Sequence, residues 1–137
     1  MKEPKPRFVT KKAIEELTKG LNLVYNLEDY QDWEYIVGQP EDIEKYINYY
    51  NSEVDEDNKF ALMEIIIQVL EEQEEMDFFK YLEIVQKLLY TNFKIHEYTI
   101  FYWSSFDQEN LEDTWKISPY MRDLWNKNIT FTSSTKS

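Results

Sequence analysis

Asn58-Lys59-Phe60-Ala61-Leu62-Met63-Glu64-Ile65-Ile66-Ile67-Gln68-Val69-Leu70-Glu71-Glu72-Gln73 is the stretch on which the fold turns. Phe60, Met63, Ile67 and Leu70 recur at three- and four-residue steps and form one helical stripe. Leu62, Ile65, Ile66 and Val69 widen it to most of the circumference, and Glu64, Gln68, Glu71 and Glu75 leave only a narrow polar line. A helix so apolar all round belongs at the centre of a bundle or stack. Asp55 or Asp57 stands where its N-cap is needed.

Working outward, the same period continues on both sides. On the C-terminal side, about Asp77 to Thr91 reads as a helix with Phe78, Leu82, Val85 and Leu89 inward. The short link makes it an antiparallel hairpin with its predecessor. On the N-terminal side, one helix covers about Lys11 to Lys19, with Ala13, Ile14 and Leu17 inward and Gly20 as its stop. A second covers about Leu27 to Val37, and Pro40 opens a third that buries Ile43, Tyr46, Ile47 and Tyr50.

Residues 97–106 admit two readings. Tyr98, Ile100, Phe101, Tyr102 and Trp103 have high β propensity, yet a lone strand would have no partner, which favours helix. Leu111 to Ile117 and Pro119 to Lys127 read as short final helices, with Ser118 as cap. The expected fold is all-α: an irregular helical bundle or a small HEAT-like stack of antiparallel helix hairpins. One domain is expected over 1–127, with a frayed Ser- and Thr-rich tail at 128–137.

Composition excludes several classes of chemistry. No cysteine is present, so disulfides, thiolate nucleophiles and Cys-bound zinc are ruled out. Two glycines are too few for a P-loop or a dinucleotide fingerprint. No apolar run is long enough to cross a bilayer and no leader-like segment opens the chain, so a cytoplasmic location is expected.

Charge is the most informative feature. The 137 residues carry a formal net charge of −12, and it is unevenly spread. Residues 1–20 hold six basic and three acidic side chains, residues 21–77 two basic and seventeen acidic, and residues 78–137 seven of each. The negative field therefore arises from one continuous stretch, which disfavours contact with nucleic acid or anionic lipid and suits a cationic protein partner.

Catalytic signatures are weak. His96 is the sole histidine, and His96-Glu97-Tyr98-Thr99-Ile100 lacks the second histidine of a zincin. Asp55-Glu56-Asp57-Asn58-Lys59-Phe60 departs from a calcium loop, with Lys59 at a ligand position and Phe60 in place of the turn glycine. Glu71, Glu72, Glu74 and Glu75 read as a solvated helix end opposed by the helix dipole, or as a surface used by a cationic partner. Glu64 and Glu71 share the polar line of the most apolar helix, so an enzyme working through carboxylates alone remains a third reading. No catalytic residue, metal ligand or cofactor is assigned.

The aromatic residues divide in two. Phe60, Phe78, Phe79 and Phe93 read as core, as do Trp103, Trp115 and Trp125. Trp33, Tyr46, Tyr49 and Tyr50 lie inside the acidic stretch. Consecutive tyrosines on a helix sit about 100° apart, so at least one of Tyr49 and Tyr50 is expected to reach the surface. Aromatic anchors ringed by carboxylates are the usual makings of an interface for a basic partner.

The runs Asp32-Trp33-Glu34-Tyr35, Lys59-Phe60-Ala61-Leu62-Met63 and Ile117-Ser118-Pro119 carry no catalytic signature. In size, acidity, aromatic content and lack of cysteine, the whole chain resembles the small acidic immunity proteins of bacterial polymorphic-toxin and contact-dependent growth inhibition systems. The likeness is one of general character and transfers no residue. It implies a cytoplasmic protein that binds one cognate toxin, many of which are nucleases with basic clefts, and blocks its active site. The residues expected to dock are Asp29, Asp32, Trp33, Tyr49, Glu53, Asp55, Glu71, Glu72, Glu74 and Glu75. The partner is then a basic protein, with no direct contact to nucleic acid or membrane. The alternative is a helical adaptor or regulatory subunit for another basic protein, including nucleic-acid mimicry.

Overall fold

A computed structural model describes residues 3–23 and 33–136, with side chains to residue 128. Among the described residues the fold is all-α: seven α-helices and no strand. The helices are α1 (Lys11–Gly20), α2 (Trp33–Ile36), α3 (Ile43–Ser52), α4 (Glu56–Glu71), α5 (Glu75–Thr91), α6 (Phe93–Ser104) and α7 (Ser118–Lys136), with short 3-10 turns at Pro40–Asp42 and Leu111–Asp113. The chain groups into two compact units. The N-terminal unit is Phe8–Tyr81, and the C-terminal unit joins Met1–Arg7 to Leu82–Ser137. Helix α5 runs through the boundary.

In the N-terminal unit, α1, α2 and α3 all pack on α4. The reason lies in α4 itself: every residue from Phe60 to Ile67 is buried, Glu64 among them. Asp55 is its N-cap, with Oδ1 accepting the Asn58 N–H at 3.0 Å. Asn58 is buried in turn, and its Nδ2 donates to Glu16 Oε2 at 2.7 Å, tying α4 to α1.

The end of α1 differs from the expected glycine stop. Gly20 is the last helical residue, and Asn22 takes the left-handed turn at φ 54°. Leu23 N–H then bonds to Thr18 O at 2.9 Å and Asn22 N–H to Lys19 O at 3.3 Å, a Schellman closure. Asparagine tolerates that conformation better than other non-glycine residues. Gly20 is needed for space instead, since a Cβ there would collide with the Tyr49 hydroxyl.

The helix expected over 27–37 appears as α2 alone, because residues 24–32 lie outside the described residues. After it, Gly38 lets the chain press against α4: a Cβ would stand 2.6 Å from Val69 Cγ1 and 3.0 Å from Ile65 Cγ2. Pro40 opens a 3-10 turn before α3 begins, and the Gln39 N–H donates to Tyr46 Oη at 2.9 Å. Burial outweighs that bond and holds the Tyr46 phenol above its ordinary pKa.

In the C-terminal unit, α6 packs on α7. The two readings of 97–106 resolve to helix through Ser104. His96, Thr99, Ile100 and Trp103 recur at helical spacing and are all buried, so packing on α7 overrides β propensity. Ser105 ends α6 in the left-handed region at φ 51°. Arg122 of α7 satisfies the freed carbonyls, with Nε donating to Ser104 O at 2.7 Å and Nη2 to Ser105 O at 2.6 Å. Ser118 is not the cap expected of it. It is the first residue of α7, and its hydroxyl donates to Trp103 O at 2.7 Å while accepting the Trp115 N–H at 3.2 Å. Trp103 and Trp125 are core, but Trp115 is partly exposed.

Candidate functional site

The site is the turn that carries the chain from α4 into α5. Gln73 pins it: its Nε2 donates to Val69 O at 3.1 Å and, across to the start of the 3-10 turn, to Pro40 O at 2.8 Å. Around this anchor, Glu72, Glu74, Glu75 and Asp77 are exposed and Glu71 is half-buried. Five carboxylates thus fall within 71–77 with no basic residue among them. The next lysine, Lys80, lies 3.9 Å from Glu44, which also accepts a 2.8 Å bond from Tyr81 Oη. That bond to a carboxylate holds the Tyr81 phenol above its ordinary pKa.

Two apolar side chains stand among these charges. Met76 is 87% exposed and Phe79 50% exposed, one turn apart on α5, while Phe78 beside them is buried. Phe79 was expected in the core. Neighbouring helical residues point about 100° apart, and here Phe78 takes the inward direction while Phe79 is left at the surface. The signal available in the sequence was Met76 itself, an apolar residue at the break between two helices.

The dipole argument also changes. Glu71 ends α4 and Glu72 caps it, where negative charge is unfavourable. Glu75 and Asp77 lie in the first turn of α5, where the same charge is favourable, and Glu74 immediately precedes it. Two of the five carboxylates thus sit where the helix dipole favours them.

The other expected docking residues are placed differently. Asp29 and Asp32 lie outside the described residues. Trp33 is wholly buried, with Nε1 donating to Thr18 Oγ1 at 3.3 Å, so it is a core residue and cannot serve as a surface anchor. Tyr50 is buried and Tyr49 half-buried against Gly20. Glu53 caps α3 and its Oε2 accepts the Val54 N–H at 3.1 Å, while Asp55 caps α4. At about 1.5 Å per residue, α4 separates these two from the 71–77 turn by roughly 24 Å. The structure brings Glu71, Glu72, Glu74 and Glu75 together and leaves Trp33, Tyr49, Glu53 and Asp55 elsewhere.

Among the described residues no cluster of His, Asp or Glu is arranged to hold a metal ion, and no helix is long and apolar enough to cross a membrane. No family model matches the chain, and no curated protein or solved structure matches it.

Proposed function

We propose that this chain is a noncatalytic binding protein that docks a basic partner on its α4–α5 turn. The partner is the active-site cleft of a cognate bacterial toxin, most simply a nuclease, and the chain acts in the cytoplasm as its immunity protein. One observation carries the reading: Met76 and Phe79 stand exposed at a turn that carries five carboxylates within residues 71–77. Exposed apolar side chains rimmed by charge are the pattern of a hot spot with its electrostatic steering rim. A cleft that binds phosphates carries lysine and arginine, and the turn offers their complement while keeping substrate out.

Coexpression with the product of the adjacent upstream gene tests the reading. Toxicity of that product should disappear with the intact chain and return with Met76→Asp combined with Phe79→Asp. Continued toxicity beside the intact, folded chain would count against an immunity role. Capture of a nonlethal basic protein would move the reading to an adaptor.

A further inference from the structure

The C-terminal unit carries a second surface, chemically distinct from the turn. Tyr98, Phe101 and Tyr102 fall on one face of α6, away from the buried Ile100. This face lines a groove of about 950 Å³, together with Glu3, Pro4 and Pro6 and residues of the loop after α6. Tyr102 stacks on Trp115 at 5.6 Å between ring centroids, and the two rings remain 44% and 38% exposed. Every charged residue lining the groove is acidic: Glu3, Asp107 and Asp113. Residues 107–113 add Glu109 and Glu112 with no basic residue.

Partly exposed aromatic rings beside carboxylates select a ligand that is both flat and cationic, and arginine is the side chain with both properties. The unit already uses this chemistry at the groove wall. The Arg122 guanidinium lies 5.5 Å from the centroid of the Phe106 ring while donating to the carbonyls of Ser104, Ser105 and Gln108. Tyr102, Trp115 and Asp113 bring rings and an acceptor together in the lining of the groove. One wall of the groove is itself a proline-bearing segment without helix. Residues 3–7 are non-helical, Pro4 and Pro6 line the groove, and Arg7 Nη1 fastens the segment to Ile95 O at 3.2 Å.

We propose that this groove binds an extended, arginine-bearing peptide segment of a partner protein. The guanidinium lies over Tyr102 and Trp115, and its N–H groups donate to Asp107 and Asp113. The proposal rests on the C-terminal unit alone and stands whether or not the α4–α5 turn docks a toxin.

The test titrates the full chain with a blocked Gly-Pro-Arg-Pro-Gly peptide, followed by NMR at the Trp115 indole and the Tyr98 and Tyr102 rings. A saturable shift at all three is expected. The same peptide with citrulline, which keeps the shape and loses the charge, should bind about tenfold more weakly. Asp113 is exposed, so Asp113→Asn should leave the fold intact and weaken the arginine peptide several-fold. Trp115→Ala should abolish the ring shifts. The proposal is overturned by equal binding of the citrulline peptide, by unchanged affinity of the Asp113→Asn protein, or by shifts confined to residues 71–77.

Discussion

The two ends of α4 have nearly the same composition and different tasks. At its N-terminal end, Glu53 and Asp55 hold backbone N–H groups, and Asp55 begins the helix. At its C-terminal end, Glu72, Glu74, Glu75 and Asp77 are exposed around Met76, and an amide, Gln73, holds the turn. A count of carboxylates does not separate the two. The backbone on offer does not separate them, since Glu75 and Asp77 also stand in the first turn of a helix; what differs is that Glu53 and Asp55 accept backbone N–H groups while Glu74, Glu75 and Asp77 are exposed. A place at a helix start does not by itself draw a carboxylate into the structure, since Glu56 and Asp57 in the first turn of α4 are exposed as well.

The largest effects should come from the helix joining these ends. Leu62→Ala removes a wholly buried side chain and should destabilise the N-terminal unit by roughly 2–5 kcal/mol in urea unfolding. Next is Gly38→Ala, whose added carbon meets Val69 and Ile65 and should cost about 1–3 kcal/mol by overpacking. A value near zero would show that the segment after α2 shifts freely away from α4.

The comparison itself is tested by treating both ends alike. Asp55→Ala should cost about 1 kcal/mol as a lost cap. The pair Glu72→Gln and Glu74→Gln should change stability by no more than about 0.5 kcal/mol. Equal losses at both ends would remove the distinction.

The smallest effect concerns pH. Burial raises the Tyr46 phenol, so the unfolded chain ionises first and binds fewer protons than the folded one. Stability should therefore fall as pH rises through the ordinary tyrosine range. Tyr46→Phe should flatten the fall, although it deprives the Gln39 N–H of its acceptor. Unfolding midpoints measured from neutral to alkaline pH read this directly.

Much of the fold was legible because burial leaves a period in the sequence. Phe60 to Leu70 announced α4, and Ile43, Tyr46, Ile47 and Tyr50 announced α3, since each set must face the same core. Residues 97–106 were ambiguous because aromatic residues suit a pleated sheet and a buried helix alike, and only the contact with α7 decides. The site was half legible. Charge pointed to 71–75, but local sequence could not tell that Trp33 would be enclosed, because that depends on Thr18 in another helix. The exchange of Ser118 from cap to tie follows the same logic, as its acceptor is Trp103, far back in the chain.

The central claim is that the carboxylates of the α4–α5 turn steer a cationic partner onto Met76 and Phe79. Its most direct test is the association rate with the adjacent gene's product, measured at low and high salt for the intact chain and for a variant with Glu71, Glu72, Glu74 and Glu75 all changed to Gln. A steep fall with salt is expected for the intact chain, and a rate slower by about tenfold with a clearly weaker salt dependence for the variant. Equal rates for the two proteins at low salt, with both folded, would contradict it.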